Sequence, residues 1–169
     1  MHRFTRSNSA QDNQPTKSLL ISLHPRFANA IFNGTKQAEL RKVRPRVEPG
    51  DQLMIYSTKP TAAILGVVTV EAVIAAPPSR LWRMVSRTSA VSRSEFFRYF
   101  HDRPIAYAIV ITSPRLLKTP ITLAELRTEC RGFIPPQSYW YLQNKRLRDR
   151  RVMNLITQNQ FANQRSKAA

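Results

Sequence analysis

The residue pattern predicts a mixed α+β domain: a small β-barrel with helical insertions, followed by a basic, helical C-terminal tail. Three observations carry that prediction. Several β-branched or aliphatic runs occur along the chain, each set off by turn residues. Short amphipathic stretches fall between them without a regular βα alternation. The whole chain has only four glycines, with no internal repeat and no Gly-rich phosphate loop. That excludes an enzyme built on a nucleotide-binding glycine turn.

The elements follow in order. Residues 18–23 (SLLISL) form a strand. Pro25 suits a helix start, and the helix runs to Asn33 with Gly34 as its stop; Ala28, Ile31 and Phe32 make its apolar stripe. Residues 37–43 return as a strand. Pro49-Gly50-Asp51 is a turn into a strand over 52–57. Residues 62–75 read as one long strand, bent at Gly66 and broken by Pro77 and Pro78. A helix over 79–86 sets Arg80, Arg83 and Arg87 on one face and Leu81, Trp82 and Val85 on another. Ser92 and Glu95 have capping-box spacing, opening a helix through Phe100. Residues 105–112 (IAYAIVIT) are a buried strand. Thr122, with Glu125 three residues on, opens a helix to Thr128. Pro135-Pro136 precedes a helical turn ending near Leu142. A last helix extends from 144 to about 160, where Pro and Gly are absent.

Charge is the loudest property. Lys and Arg number 27 against 10 Asp and Glu, a formal net of +17 with a pI near 11.3. Such a chain needs an anionic partner to offset self-repulsion, and nucleic acid is the usual one, because each phosphate contact releases a counterion. A membrane surface or an acidic protein is second. Arg dominates, and its planar fork suits phosphates and bases. Composition divides the chain into a polar arm (1–17), a domain (18–143) and a basic tail (144–169). The tail alone carries seven basic residues and one acid. Cys130 is the single cysteine, so no intrachain disulfide is expected. His2, His24 and His101 are scattered without metal-ligand spacing, and neither metal nor cofactor is expected. The arm lacks the apolar core of a secretory signal. The most apolar run is too short to span a bilayer. A cytoplasmic location is the expectation, with protein partners left open.

The segment 34–42 (GTKQAELRK) is the densest cluster of chemistry. It sets Lys36, Glu39 and Arg41 around a helix-to-strand corner. On a strand Glu39 and Arg41 share a face. Spacing alone favours an ordinary surface ion pair, worth little.

From residue 18 to 142 the chain resembles an ASCH domain, a branch of the PUA-like barrels. The matching pieces occur in order: SLLISLHPRFANAIFNGTKQAELRK with its G-x-K-x-x-E-x-R corner, EPGDQLMIYSTKP, AILGVVTVEAVI, LWRMVSRTSAVSRSEFFRYF and FIPPQSYWYL. The resemblance implies a groove beside the first helix that holds RNA or a modified base. His24, Arg26, Lys36, Glu39, Arg41, Lys42, Tyr56, Lys59, Gln137, Ser138 and Tyr139 would line it. By residue type, Lys36, Arg41 and Lys59 would hold phosphates, and Tyr56 or Tyr139 would stack on an unpaired base. Glu39 would accept from an exocyclic amine. The alternative for each tyrosine is a core or rim aromatic.

Some ASCH relatives are amidohydrolases that remove an acetyl group from a modified cytidine. That chemistry uses a Lys, a Thr three residues later and a distant Glu. Lys36 matches; Glu39 and Ser89 stand in the other two places. A carboxylate cannot replace a hydroxyl nucleophile without changing the intermediate. Lys36 and Glu39 could still do acid–base work on another amide or on RNA, and other relatives are ribonucleases. The expectation is therefore a nucleic-acid binder, RNA before DNA, with hydrolysis of RNA or a modified nucleoside through Lys36 and Glu39 as the alternative. The run NKRLRDRR, with Lys145, Arg146 and Arg148, would clamp the strand electrostatically.

Overall fold

The computed structural model describes residues 16–159 and 161–162. Most of the expected polar arm and the end of the basic tail lie outside the described residues. The elements in chain order are β1 (Ser18–Leu23), α1 (Pro25–Phe32), β2 (Ala38–Arg41), β3 (Gln52–Ser57), β4 (Ala63–Ala76), α2 (Pro78–Val85), α3 (Arg93–Tyr99), β5 (Ala106–Thr122), α4 (Leu123–Glu129), β6 (Tyr139–Leu142) and α5 (Leu147–Gln158). The α+β architecture is the expected one. The strands form one curled six-stranded sheet, a half-barrel, in the order β2-β5-β4-β3-β1-β6. The β1–β3 pair is parallel and every other neighbouring pair is antiparallel. A parallel pair needs a crossover, and α1 with β2 supplies it.

Alternation along the strands sorts side chains into two layers. Leu19, Ile21, Leu53 and Ile55 pack with Ala28 and Ile31 of α1. Leu20, Met54 and Tyr56 face the other way, toward Leu126 of α4, Phe133, and Val152 and Ile156 of α5. The two layers swap parity on β4. Ala63 and Leu65 belong to the first layer, but so do Val68 and Val70. The register shifts that reset the alternation flank Gly66. A Cβ there would overlap the Arg115 carbonyl oxygen and lie 2.7 Å from the Phe32 ring, so only glycine fits without movement. A third cluster caps one end of the sheet, where Leu81 and Val85 of α2 and Phe96 of α3 cover Ala38, Leu40, Ala76 and Ala108.

Two local expectations are corrected. The segment after Pro135-Pro136 is not a helical turn but β6, which pairs antiparallel with β1. Its YWYL sequence favours a pleated, half-buried surface. The strand expected to stop at Thr112 runs to Thr122, through Pro114 and Pro120. Past Ile111 its second side is not laddered to β2, which pairs only with residues 107–110, and a residue lacking N–H is tolerated on such an edge. The expected capping boxes at Ser92/Glu95 and Thr122/Glu125 are both formed.

Side chains bring the two edge strands together. Arg41 Nη1 of β2 donates to Ser138 Oγ at 2.8 Å, and the Arg46 backbone N–H donates to Tyr141 Oη at 2.8 Å. After α5 the chain returns to the open side of β5. Phe161 bridges Leu117, the Ala162 N–H donates to the Leu116 carbonyl at 2.8 Å, and the Arg115 guanidinium lies 4.4 Å above the Phe161 ring.

Candidate nucleic-acid interface

A cavity of about 540 Å³ opens between α1, β2 and α3. Its walls come from four elements that the fold brings together. Ser22, Leu23 and His24 end β1; Arg26 and Phe27 start α1; Val91, Glu95, Phe96, Arg98 and Tyr99 come from α3 and its approach. Lys36, Glu39, Leu40, Arg41 and Lys42 complete the lining.

The floor is an ion triad. Lys36 is 3% exposed and Glu39 7%, so the expected surface pair is in fact buried. Lys36 Nζ donates to the carbonyl oxygens of Ala38 and Ser89, each at 2.8 Å, and lies 3.3 Å from Glu39 Oε2. Arg41 Nη2 meets Glu39 Oε1 at 2.9 Å. One carboxylate thus bridges two cations. Burial pushes the Lys36 ammonium below the ordinary lysine range; Glu39 opposes that, while Arg41 and Arg26 add to it. The Phe27 ring lies 5.0 Å beneath Nζ. Ser22 Oγ, Arg41 Nε and Ser89 Oγ are buried without a hydrogen-bond partner. Unpaired buried polar atoms are costly, and Ser22 and Arg41 line the cavity itself.

The rim is cationic and tied down by carboxylates. Arg26 pairs with Glu95 across the opening. The Ser92 backbone N–H, with help from Arg26, holds the Glu95 carboxyl at about 2. Lys42 Nζ meets Asp102 at 3.1 Å and lies 5.2 Å from the Tyr99 ring. His24 is the N-cap of α1, its Nδ1 accepting from the Arg26 N–H at 3.3 Å.

Of the residues expected in the groove, His24, Arg26, Lys36, Glu39, Arg41 and Lys42 come together here. Ser138 and Tyr139 adjoin it through Arg41, which bonds Ser138 and lies 5.7 Å from the Tyr139 ring. Burial pushes the Tyr139 hydroxyl up. Tyr56 does not line the cavity. It points into the α4/α5 layer and is 2% exposed, because strand parity puts it with Met54. Lys59 and Gln137 are exposed and lie outside the lining. Lys145, Arg146 and Arg148 lie at the start of α5, also outside it. The α3 wall was missed. Its one sequence signal was the capping box, which places Glu95 at a helix start but not opposite Arg26, 69 residues away. Among the described residues no group of three or more His, Cys, Asp or Glu could hold a metal, and no helix is long and apolar enough to cross a membrane.

A curled half-barrel whose helix-to-strand corner lines a basic cavity defines a PUA-like domain. The model of the ASCH domain family matches residues 21–115, and the chain belongs to that family. An ASCH domain-containing ribonuclease from Zymomonas mobilis is 30% identical over 129 residues, covering 76% of this chain and 86% of the relative. The crystal structure of ASCH from Zymomonas mobilis matches with a TM-score of 0.73 and 29% identity, over 82% of this chain and 95% of that one. A serine-to-alanine variant of the same protein gives 0.76 and 27%, over 85% and 97%.

Proposed function

We propose that the chain is a nucleic-acid-binding module whose cavity takes one unpaired nucleotide of an RNA strand. The observation that carries this reading is the Lys36–Glu39–Arg41 floor beneath a cationic rim. Phosphates would exchange with the rim carboxylates for Arg26 and Lys42. The base would meet the one buried carboxylate, Glu39, and the spare donors of Arg41 and Ser22. A carboxylate accepts from exocyclic amines, and unstacked bases present those edges. The net charge of +17 supports the same partner class.

The test is fluorescence anisotropy with a labelled single-stranded RNA across a salt series. Log affinity is expected to fall linearly with log salt. Glu39→Gln should weaken binding about tenfold at constant salt slope, by removing one charge-assisted bond. An affinity unmoved by salt would sink the reading. Competition with DNA of the same sequence tests the RNA preference, which rests on the 2′-hydroxyl.

RNA cleavage is a second reading, favoured by the ribonuclease name of the 30% identical relative. His24, exposed at the cavity, would move the proton and Arg41 would stabilise the phosphorane oxygens. Lys36 as it stands spends its donors on Ala38, Ser89 and Glu39, so it fits positioning of Glu39 better than attack. End-labelled RNA should yield fragments that disappear in His24→Ala. Intact RNA, with binding retained, would leave the binding reading alone standing. Removal of an acetyl group from modified cytidine is disfavoured by Glu39 and Ser89 in the threonine and glutamate places.

A further inference from the structure

We propose that the corner between β6 and α5 is a second contact for single-stranded nucleic acid, where a base stacks on Arg148 and phosphates meet the flanking cations. The proposal rests on the nucleic-acid reading above.

The Arg148 guanidinium lies 4.4 Å over the Trp140 ring, and its side chain is 45% exposed. One plane is covered by indole, and the exposed remainder is available to a ligand. Its orientation is fixed from behind. Arg148 Nε donates to Asp149 Oδ1 at 3.1 Å, and the other carboxylate oxygen accepts the Gln143 N–H at 3.0 Å. A side chain held this way loses little rotamer freedom on binding.

Asp149 decides the charge of the corner. It is the lone acid between 143 and 151, and it is fully buried. The charged side chains that this segment leaves at the surface are therefore all cationic: Lys145, Arg146, Arg150 and Arg151 are exposed. None of the four belongs to the ion pairs formed among the described residues. Arg151 Nη1 donates to the Glu129 carbonyl oxygen at 2.7 Å, while α5 is seated by the buried Val152 and Ile156 rather than by Lys145, Arg146 or Arg150. Like charges held together without a counter-charge cost stability, so the corner fits an anionic ligand.

The planar guanidinium stacked on indole distinguishes among anions. A nucleobase extends such a stack, and base stacking of this kind is sequence-tolerant. A lipid headgroup offers phosphate but no aromatic plane. Position links the corner to the cavity. Ser138, bonded to Arg41, lies two residues before Trp140, or roughly 7 Å along a strand. A strand with one nucleotide in the cavity would pass around the β6 edge onto Arg148.

The experiment uses the full chain carrying Trp82→Phe, which leaves Trp140 as the single tryptophan, excited selectively over the tyrosines. A 12-nucleotide oligocytidylate, whose bases carry the exocyclic amine that Glu39 would accept from, is titrated against it, with cytidine monophosphate as a cavity-sized control. The oligonucleotide is expected to change Trp140 emission. Arg148→Lys keeps the charge on Asp149 but removes the plane. It should lose about tenfold in affinity and the emission change, with the salt slope kept. Lys145→Gln with Arg146→Gln touches no packing and should flatten the slope by about 1.4, at roughly 0.7 per phosphate. Neither variant should alter binding of the monophosphate. If the oligonucleotide binds and Arg41→Ala abolishes binding while the α5 variants behave as wild type, the corner proposal is overturned and the cavity reading stands. If wild type binds no RNA, both fall. Anionic phosphatidylserine vesicles captured through Lys145 and Arg146, indifferent to Arg148→Lys, would mean a membrane occupant and would also overturn it.

Discussion

Each Lys36 N–H has an acceptor: two backbone carbonyls and Glu39. Removing the ammonium strands all three, although Arg41 still faces Glu39. Lys36→Met is expected to cost about 3 kcal/mol, the lower end for breaking a buried pair, read as a urea midpoint. The pH dependence has a definite sign. Lys36 sits below its unfolded value of 10.5, so between the two values the unfolded chain holds a proton the folded one has released. Stability from this group therefore rises with pH across that window, and Lys36→Met should lack the rise. Glu95 has the same sign in a lower window. Its folded value is about 2 against 4.5, so its contribution is full above 4.5 and is lost as pH falls through about 2. Urea midpoints of wild type and Glu95→Gln should separate above pH 4.5 and converge near pH 2. At this scale the cationic half of the cavity was legible in the 34–42 segment. Burial of the triad was not, since residue spacing carries no information on which helices will cover a strand. Tyr56 misled because its residue type suits a stacking platform, while one step of strand parity turns it into the core.

The elements divide along similar lines. Both capping boxes were legible because they are local: a hydroxyl and a carboxylate three residues apart satisfy each other. The full length of β5 was not, because Pro114 and Pro120 read as breakers until one knows which side of the strand is open. Nor was β6, whose four residues are held by pairing with β1, a partner more than a hundred residues away. Gly66 could be marked as a bend, but its reason lies in Arg115 and Phe32. Gly66→Ala is expected to destabilise by about 1–3 kcal/mol through overpacking. The loss should appear in the urea midpoint, with both capped helices retained by circular dichroism.

The whole molecule is organised by β4 and β5, which contribute residues to all three apolar clusters. It is also an over-charged body. At a net of +17, repulsion opposes compaction, and salt screens it. Raising monovalent salt from about 0.05 to 0.5 M should increase the melting temperature of the free protein while weakening its complex with RNA. Opposite responses of one solution variable would separate self-repulsion from ligand attraction in a single titration.

The return of the chain to β5 has a practical consequence. Phe161 and Ala162 occupy backbone groups of Leu116 and Leu117, on a strand side that β2 leaves open. Leu116 is itself 39% exposed. A protein shortened to residue 158 would keep every helix and strand, yet it would present a bare β edge, a template for pairing with other copies. Sedimentation of that truncation is expected to reveal self-association that the full chain resists, with Phe161 and Ala162 serving as a guard against aggregation.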